Sequence, residues 1–474
     1  MTGLILIIIF LNGLLIFFTS IKFGRYLLFL SGIMHFIMTI ALILNSQNIY
    51  FNSYLKCTYE GLVILSIISF LFLCIVFYSI SYLKETQLSN ERIFTGSMVL
   101  FLSAMTLVAL SDNIILIWVA IEATTLSSAP LIFIHKSKKS LEATWKYILI
   151  CSVGIALALL GSFFVVLSMD IKGINCPLTY TDFSNIANLL DKKLLKAAFV
   201  FILVGYGTKM GLAPMHTWLP DAHSEAPGPA SALFSGALLN CAFLAIYKTN
   251  KILILAGLGN FSNKLLIIFG IISIFIAATF ALKQSDYKRL LAYSSIENMG
   301  IIAFGTGVGG LAAYGAILHL IHHSLIKSSL FLTSQNYLFA YGSKLIDKVG
   351  NGIKLLPKSS ILFLVGFFGI SGFPPFGIFL SEFLIIMGTF KQGLYAVAII
   401  FIILLIIVFA GFAKYFIQII FNNYDGNIKI PENFQRLLPQ YILLAVSIIL
   451  TFFTFDFINS YISNIQIYTE VLHG

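Results

Sequence analysis

Four short segments place ionisable residues inside apolar runs. Lys209 lies in GYGTKMGLAPMHTWLPDAHSEAPGPAS (Gly205 to Ser231), five residues before Pro214. Glu122 lies in IILIWVAIEATTLSSAP, nine residues into the run. His319, His323 and Lys327 lie in HLIHHSLIKSSLF at i, i+4 and i+8, one face of a helix. Glu382 closes SGFPPFGIFLSEF (Ser371 to Phe383). Carboxylate, imidazole and ammonium all bind and release protons, and histidine changes charge near neutral pH. A row of such groups can hand a proton along through intervening water. Two histidines at i, i+4 also fit zinc, but no HExxH pattern or acidic third ligand accompanies them, so no metal site is expected. His322 falls about 100° off the stripe and reads as packing. Nucleotide loops and nucleophile elbows are absent, which leaves no basis for covalent catalysis.

The elements that must position these groups follow from composition. The chain has 474 residues, 59% hydrophobic and 10% charged, with mean hydropathy +0.97. Soluble chains carry about 25% charged residues, so a soluble enzyme, a DNA-binding protein and a disordered tail are excluded. A run of about 20 apolar residues spans a bilayer as a helix, and hydropathy predicts about 14 such spans. Period-2 strand patterns are absent, which excludes a transmembrane β-barrel. The first run, Gly3 to Thr19, lacks a basic leader and reads as a retained span. The five cysteines show no CxxC spacing, so neither cluster ligation nor a disulfide framework is expected.

The net charge is +10. Odd-numbered loops, with Lys136, Lys138, Lys139, Lys283, Lys288, Arg289, Lys344 and Lys348, hold about twice as many Lys and Arg as even ones. The positive-inside rule then puts odd loops in the cytoplasm and both termini outside. One even loop, with Lys172, Lys192, Lys193 and Lys196, runs against that bias. Every basic residue except Lys209 and Lys327 can be assigned to a loop. A charge at mid-helix costs roughly 2.5–3.5 kcal/mol, so these two lysines, with Glu122 and Glu382, are the candidates for function. Glu122 needs a cationic partner, and Lys209 is the candidate.

Pro214 predicts a break beside Lys209, and Pro374 and Pro375 predict another before Glu382, because proline lacks an N–H and clashes with the preceding turn. Paired interrupted spans suggest an internal repeat. Secondary candidates are Glu297, inside LLAYSSIENMG, and His223. The latter is read with Asp221 and Glu225 in a short loop that lines an inlet or is simply solvated. Glu142 and Lys146 read as interfacial.

The segments KMGLAPMHTWLPDAHSEAPGPAS, KRLLAYSSIENMG, HLIHHSLIKSSLF and GFPPFGIFLSEF together resemble the antiporter-like membrane subunits shared by respiratory complex I, multisubunit Na+/H+ (Mrp) antiporters and energy-converting hydrogenases. The resemblance covers roughly Ser81 to Phe421. WVAIEATTLSSAP and ALLNCAFLAIYK are most similar to the hydrogenase-4 component F branch, found with group 4 membrane-bound NiFe hydrogenases and formate hydrogenlyase.

It implies an all-α polytopic membrane protein of about 14 transmembrane helices, with two inverted five-helix repeats, each containing a broken helix. Residues 1–83 then form three leading helices, 84–250 the first repeat, 251–422 the second, and 423–474 a last helix. Glu122 and Lys209 match a coupling pair, His319, His323 and Lys327 a hydrophilic axis, and Glu382 a terminal proton donor to the outer side. Many relatives have a lysine where this chain has Asn240, which holds water but cannot carry the proton, so His223 or water must serve the inlet. The resemblance implies no cofactor in this chain, with NiFe and Fe-S centres in partner subunits. It implies a prokaryotic inner membrane, protons or Na+ as cargo, and no nucleic acid. Alternatives are a subunit of an NADH-quinone oxidoreductase, a Na+/H+ antiporter subunit, and a passive anchor for a hydrogenase arm.

Overall fold

The computed structural model describes residues 2–44, 54–86, 88, 90–424 and 432–453. Its α-helices are α1 Thr2–Phe18, α2 Ile21–Leu44, α3 Tyr59–Thr86, α4 Glu91–Leu110, α5 Ile114–Ile132, α6 Lys138–Asp170, α7 Tyr180–Asn185, α8 Lys192–Met210, α9 Trp218–Glu225 and α10 Gly228–Leu233. They continue with α11 Leu239–Leu255, α12 Gly259–Ala281, α13 Tyr287–Val308, α14 Gly310–Tyr341, α15 Gly352–Leu355, α16 Pro357–Ile370, α17 Gly377–Lys391, α18 Tyr395–Phe421 and α19 Phe434–Phe452. Among the described residues there is no strand, only isolated bridges such as Leu55 with Ser111 and Asp286 with Leu345. Residues 454–474, the end of the expected last helical unit, lie outside the described residues.

Local sequence sets the helix ends. The Asn113 side chain accepts from the N–H of Ile115 and Leu116, Asp191 from Lys193 and Leu194, and Asp286 from Lys288 and Arg289. Each satisfies donors that an α-helix leaves unpaired at its start. Helix α8 stops at Gly211, whose φ of +82° suits glycine. The chain then runs irregularly past Pro214 before α9. Between α16 and α17 the break holds Pro374 and Pro375. Both breaks fall where the prolines predict them. A π-helical turn, Phe234–Leu238, joins α10 to α11.

Among the described residues, ten helical segments are long and apolar enough to cross a membrane, against about 14 expected. Helices α1 and α16 are shorter, while α13 and α14 are long but polar. That polarity matches their position. Nearly every residue of α13 and of α14 beyond Ala312 is buried, as is every residue from Gly228 to Asn250. Peripheral helices show the opposite pattern, with Val153 of α6 63% exposed and Ile406 of α18 62%. A polar helix in the middle and apolar helices around it is what a bilayer demands, since polar side chains face protein and apolar ones face lipid.

Close packing fixes α6 against α8. A Cβ on Gly205 would come 2.5 Å from the Gly154 carbonyl and 2.6 Å from the Ala158 nitrogen. Only glycine lets these backbones meet.

Candidate functional site

Lys209 sits in the last turn of α8 and is 0% exposed. Its Nζ donates to Thr125 Oγ1 at 2.8 Å and Tyr147 OH at 2.6 Å, and lies 4.4 Å from the centre of the Tyr147 ring. The negative end of the α8 dipole favours a cation at this position. Tyr147 in turn shares a hydrogen bond of 2.6 Å with Ser128. Trp218 Nε1 donates to the Thr208 carbonyl at 2.8 Å and Ser273 Oγ accepts from the Ala213 N–H, so the broken backbone is satisfied by protein.

Glu122 lies one turn before Thr125 on α5 and is half-buried. Its Oε1 accepts from Ser152 Oγ at 3.0 Å. No ion pair joins Glu122 to Lys209, and two hydroxyls take the place beside the ammonium. Glu122 Oε2 is buried without a hydrogen-bond partner.

Asn240, on α11 just past the π-helical turn, is buried. Its Nδ2 donates to Ser324 Oγ at 2.8 Å and to the Gly236 carbonyl at 2.9 Å. Ser324 belongs to α14, next to His323, so Asn240 ties α11 to the histidine stripe. His323 is wholly buried and neither ring nitrogen has a protein partner. Lys327 Nζ donates to the Leu291 carbonyl of α13 and lies 5.1 Å from the centre of the Phe331 ring.

His319 is bonded at both nitrogens, Nδ1 to Ser381 Oγ at 3.0 Å and Nε2 to Asn298 Oδ1 at 2.9 Å. Asn298 Nδ2 reaches Glu297 Oε2 at 3.5 Å. A cavity of about 20 Å³ lies between Glu297 and Glu382, closed by Ser371, Leu405, Val408 and Phe412. That volume admits one water. His319, His323 and Lys327 of α14 are therefore brought together with Glu297 and Glu382, while Tyr147, which holds Lys209, stacks on Phe234, whose ring meets His223. His322 points away, with Nδ1 on Ser447 Oγ at 3.0 Å and its ring against Gly377, where no side chain fits.

His223, Asp221 and Glu225 are helical, on α9, and not in a loop. Pro220 is in the first turn of α9, where its missing N–H costs nothing. His223 is buried with both ring nitrogens unpartnered, stacked on Phe331 with ring centres 4.6 Å apart. At Asp221 and Glu225 of the same helix opens a charged cavity of about 340 Å³, lined also by Lys146, Asp286, Arg289 and Lys344. Its ion pairs are Lys146–Asp221 at 3.1 Å, Arg289–Asp221 at 2.5 Å, Lys344–Glu225 at 2.6 Å and Lys344–Asp286 at 3.6 Å.

Sequence reasoning missed the neutral groups of the site: Thr125, Tyr147, Ser324, Asn298 and Ser381. It also missed two buried lysines assigned to loops. Lys248 is inside α11, 3.6 Å from the Asp112 carboxylate, and Lys288 is buried in the first turn of α13 on the Ala226 carbonyl. Lys288 stands at a helix start, where a lone sequence cannot tell a solvated charge from a buried one, and Lys248 lies two turns from the end of α11. Among the described residues, no three or more His, Cys, Asp or Glu gather as a metal site.

The chain is similar to the hydrogenase-4 component F homolog of Methylacidiphilum infernorum, 41% identical over 300 residues, 62% of this chain and 62% of that protein. Hydrogenase-4 component B of Escherichia coli is 31% identical over 330 residues, 67% of this chain and 48% of that protein. The matched stretch thus spans less than two thirds of the length of either relative. Among solved structures, the Mrp complex from Dietzia sp. DQ12-45-1b contains a chain that aligns with a TM-score of 0.85 at 15% identity, covering 100% of this chain and 98% of that one. The fold is therefore that of an all-α, multi-pass membrane protein, shared with a member of a multisubunit membrane complex. The sequence profile described as NADH:quinone oxidoreductase/Mrp antiporter, TM matches residues 111–408, and the chain belongs to that family.

Proposed function

We propose that this chain carries protons across a prokaryotic inner membrane as one subunit of a redox-driven complex of the group 4 hydrogenase or formate hydrogenlyase kind. The observation that carries the reading is the set of buried ionisable groups Lys209, His323, Lys327, His319 and Glu382, with Asn298 and Ser381 bonded to His319 and a water-sized cavity between Glu297 and Glu382. A scaffold has no need of them, since each costs energy to bury. The similarity to hydrogenase-4 component F supports the choice of complex.

The NiFe and Fe-S centres belong, in this reading, to partner subunits. Residues 84–250 and 251–422 form the two inverted repeats, and the odd loops face the cytoplasm. Protons enter at the charged cavity, reach His223 and Lys327, and leave at Glu382. Electron transfer in a partner disturbs Glu122, whose unpartnered oxygen lies one turn from the hydroxyl that holds Lys209. Moving one charge across 100 mV takes about 2.3 kcal/mol. The gain or loss of a hydrogen bond to a charged group, about 1.5–3 kcal/mol, is of that size.

The test is Lys209→Ala in the complex, reconstituted in vesicles. Proton transport is expected to stop while the complex still assembles and turns over electrons. Normal proton transport in that variant would overturn the proposal.

A further inference from the structure

The transport row uses neither Lys248 nor the carboxylates around it. Lys248 Nζ lies 3.6 Å from Asp112 Oδ1 and donates to the Ser111 carbonyl at 2.8 Å, and both side chains are 5% exposed or less. Asp112 Oδ2 accepts from Thr181 Oγ1 at 2.6 Å, and Oδ1 accepts no hydrogen bond. Glu60 of α3, 3.4 Å from Lys251, is 12% exposed and forms the rim of the cluster. The cluster lies at the end of the bundle opposite the charged cavity, where α3 and α5 begin and α11 ends.

Lys248 is also in line with the transport row. It stands at i+8 from Asn240 on α11, with Leu244 at i+4, so the three share a face. Beside Glu60 lies a cavity of about 10 Å³ walled by Phe243, Leu244, Ile317 and Leu320, and Leu244 and Leu320 stand one helical turn from Asn240 and Ser324. It sits at the lower bound for one water, and its walls are apolar. Apolar constrictions of this kind close a path by staying dry.

We propose that the Asp112–Lys248–Glu60 cluster is a second proton-release site. It is closed by the apolar layer at Leu244 and Leu320, and protons reaching Asn240–Ser324 leave through it as well as through Glu382. The Lys248 ammonium passes its proton to Asp112 Oδ1, leaving a neutral amine and a neutral carboxyl. Asp112 gives that proton to water at the Glu60 rim. Lys248 regains one from the Asn240 side when the layer wets. This rests on the transport reading above.

The alternative is that the pair only staples α11 to the α4–α5 corner, and Lys248→Arg separates the two. Arginine keeps the charge beside Asp112 but does not give up its proton. In the whole complex reconstituted in vesicles, Lys248→Arg is expected to keep assembly and electron turnover and to move fewer protons per electron. A wild-type ratio overturns the second outlet. Lys327→Met, run beside it, separates the failures. If Lys327→Met stops transport and Lys248→Arg does not alter it, only the second outlet falls. If neither alters it, the transport reading falls and the outlet with it. Should Lys248→Arg fail to assemble, Leu244→Asn decides. A polar atom in the layer is expected to raise the resting proton leak of the vesicles, and an unchanged leak overturns the proposal.

Discussion

Lys209 Nζ has two hydroxyls as partners, and a hydroxyl can either donate or accept. The ammonium donates to Thr125 and Tyr147, while a neutral amine accepts from one of them after a rotation of its O–H. Both protonation states keep hydrogen bonds. A carboxylate in the same place would favour the charged state alone and lock the proton on. Glu122, set back by one turn, acts on Lys209 without seizing it. Tyr147→Phe should therefore impair transfer more than folding. Losing a hydrogen bond to a charged group is worth about 1.5–3 kcal/mol, or roughly 10- to 100-fold in the rate of that step. Proton uptake by vesicles measures it, with the amount of assembled complex as the control. Asn240 contributes differently, since an amide holds a neighbour in place and carries no proton. Asn240→Leu removes its bond to Ser324 and leaves Lys209 and the α14 stripe intact, and transport should fall there too.

At the scale of elements, the two broken spans put functional groups at helix ends in the interior. Lys209 precedes the first break and Glu382 follows the second. Their positions depend on close backbone packing. Gly205→Ala is enough to test this, since its methyl meets backbone atoms of α6 and not a flexible side chain. Overpacking typically costs about 1–3 kcal/mol, which should appear as a lower unfolding temperature of the detergent-solubilised protein. Gly377→Ala should displace the His322 ring and with it the start of α17, reducing transport while Lys209 and its partners stay in place.

The breaks were legible in the sequence because proline acts locally, and the His319, His323, Lys327 stripe because i, i+4 spacing is also local. The partners were not, because His319 meets Ser381 across 62 residues and Lys248 meets Ser111 across 137. Folding brings those pairs together, and no periodicity announces them. The Glu122–Lys209 pairing was inferred from charge alone, and charge says nothing of the hydroxyls that stand between.

Across the whole molecule, polarity runs inside out relative to a water-soluble protein. The central helices α13 and α14 are the polar ones, and the helices with exposed apolar faces surround them. The two ends also differ, with the large charged cavity at one and the Lys248 cluster at the other. If odd loops face the cytoplasm, a single cysteine placed at Lys348 should react with an impermeant thiol reagent only in inverted vesicles. One placed at Lys172 should react only in right-side-out vesicles. The opposite pattern would reverse the direction of transport.

Helix α14 also bears on how the chain is made. Its 32 residues carry three histidines and a lysine, and its polar side chains are covered by different neighbours. Asn240 of α11 covers one, Asn298 of α13 another, Ser381 of α17 a third, and Gln440 and Ser447 of α19 a fourth. The ribosome makes α17 and α19 after α14. Until they emerge, the side chains that meet Ser381, Gln440 and Ser447 lack those partners, and burying Lys327 without protein around it is costly, which favours keeping the nascent helix beside α11 and α13. A chain ended after Tyr341 should be degraded quickly in the membrane, while the chain through α19 resists degradation. The groups that suit α14 to protons make it depend on helices synthesised after it.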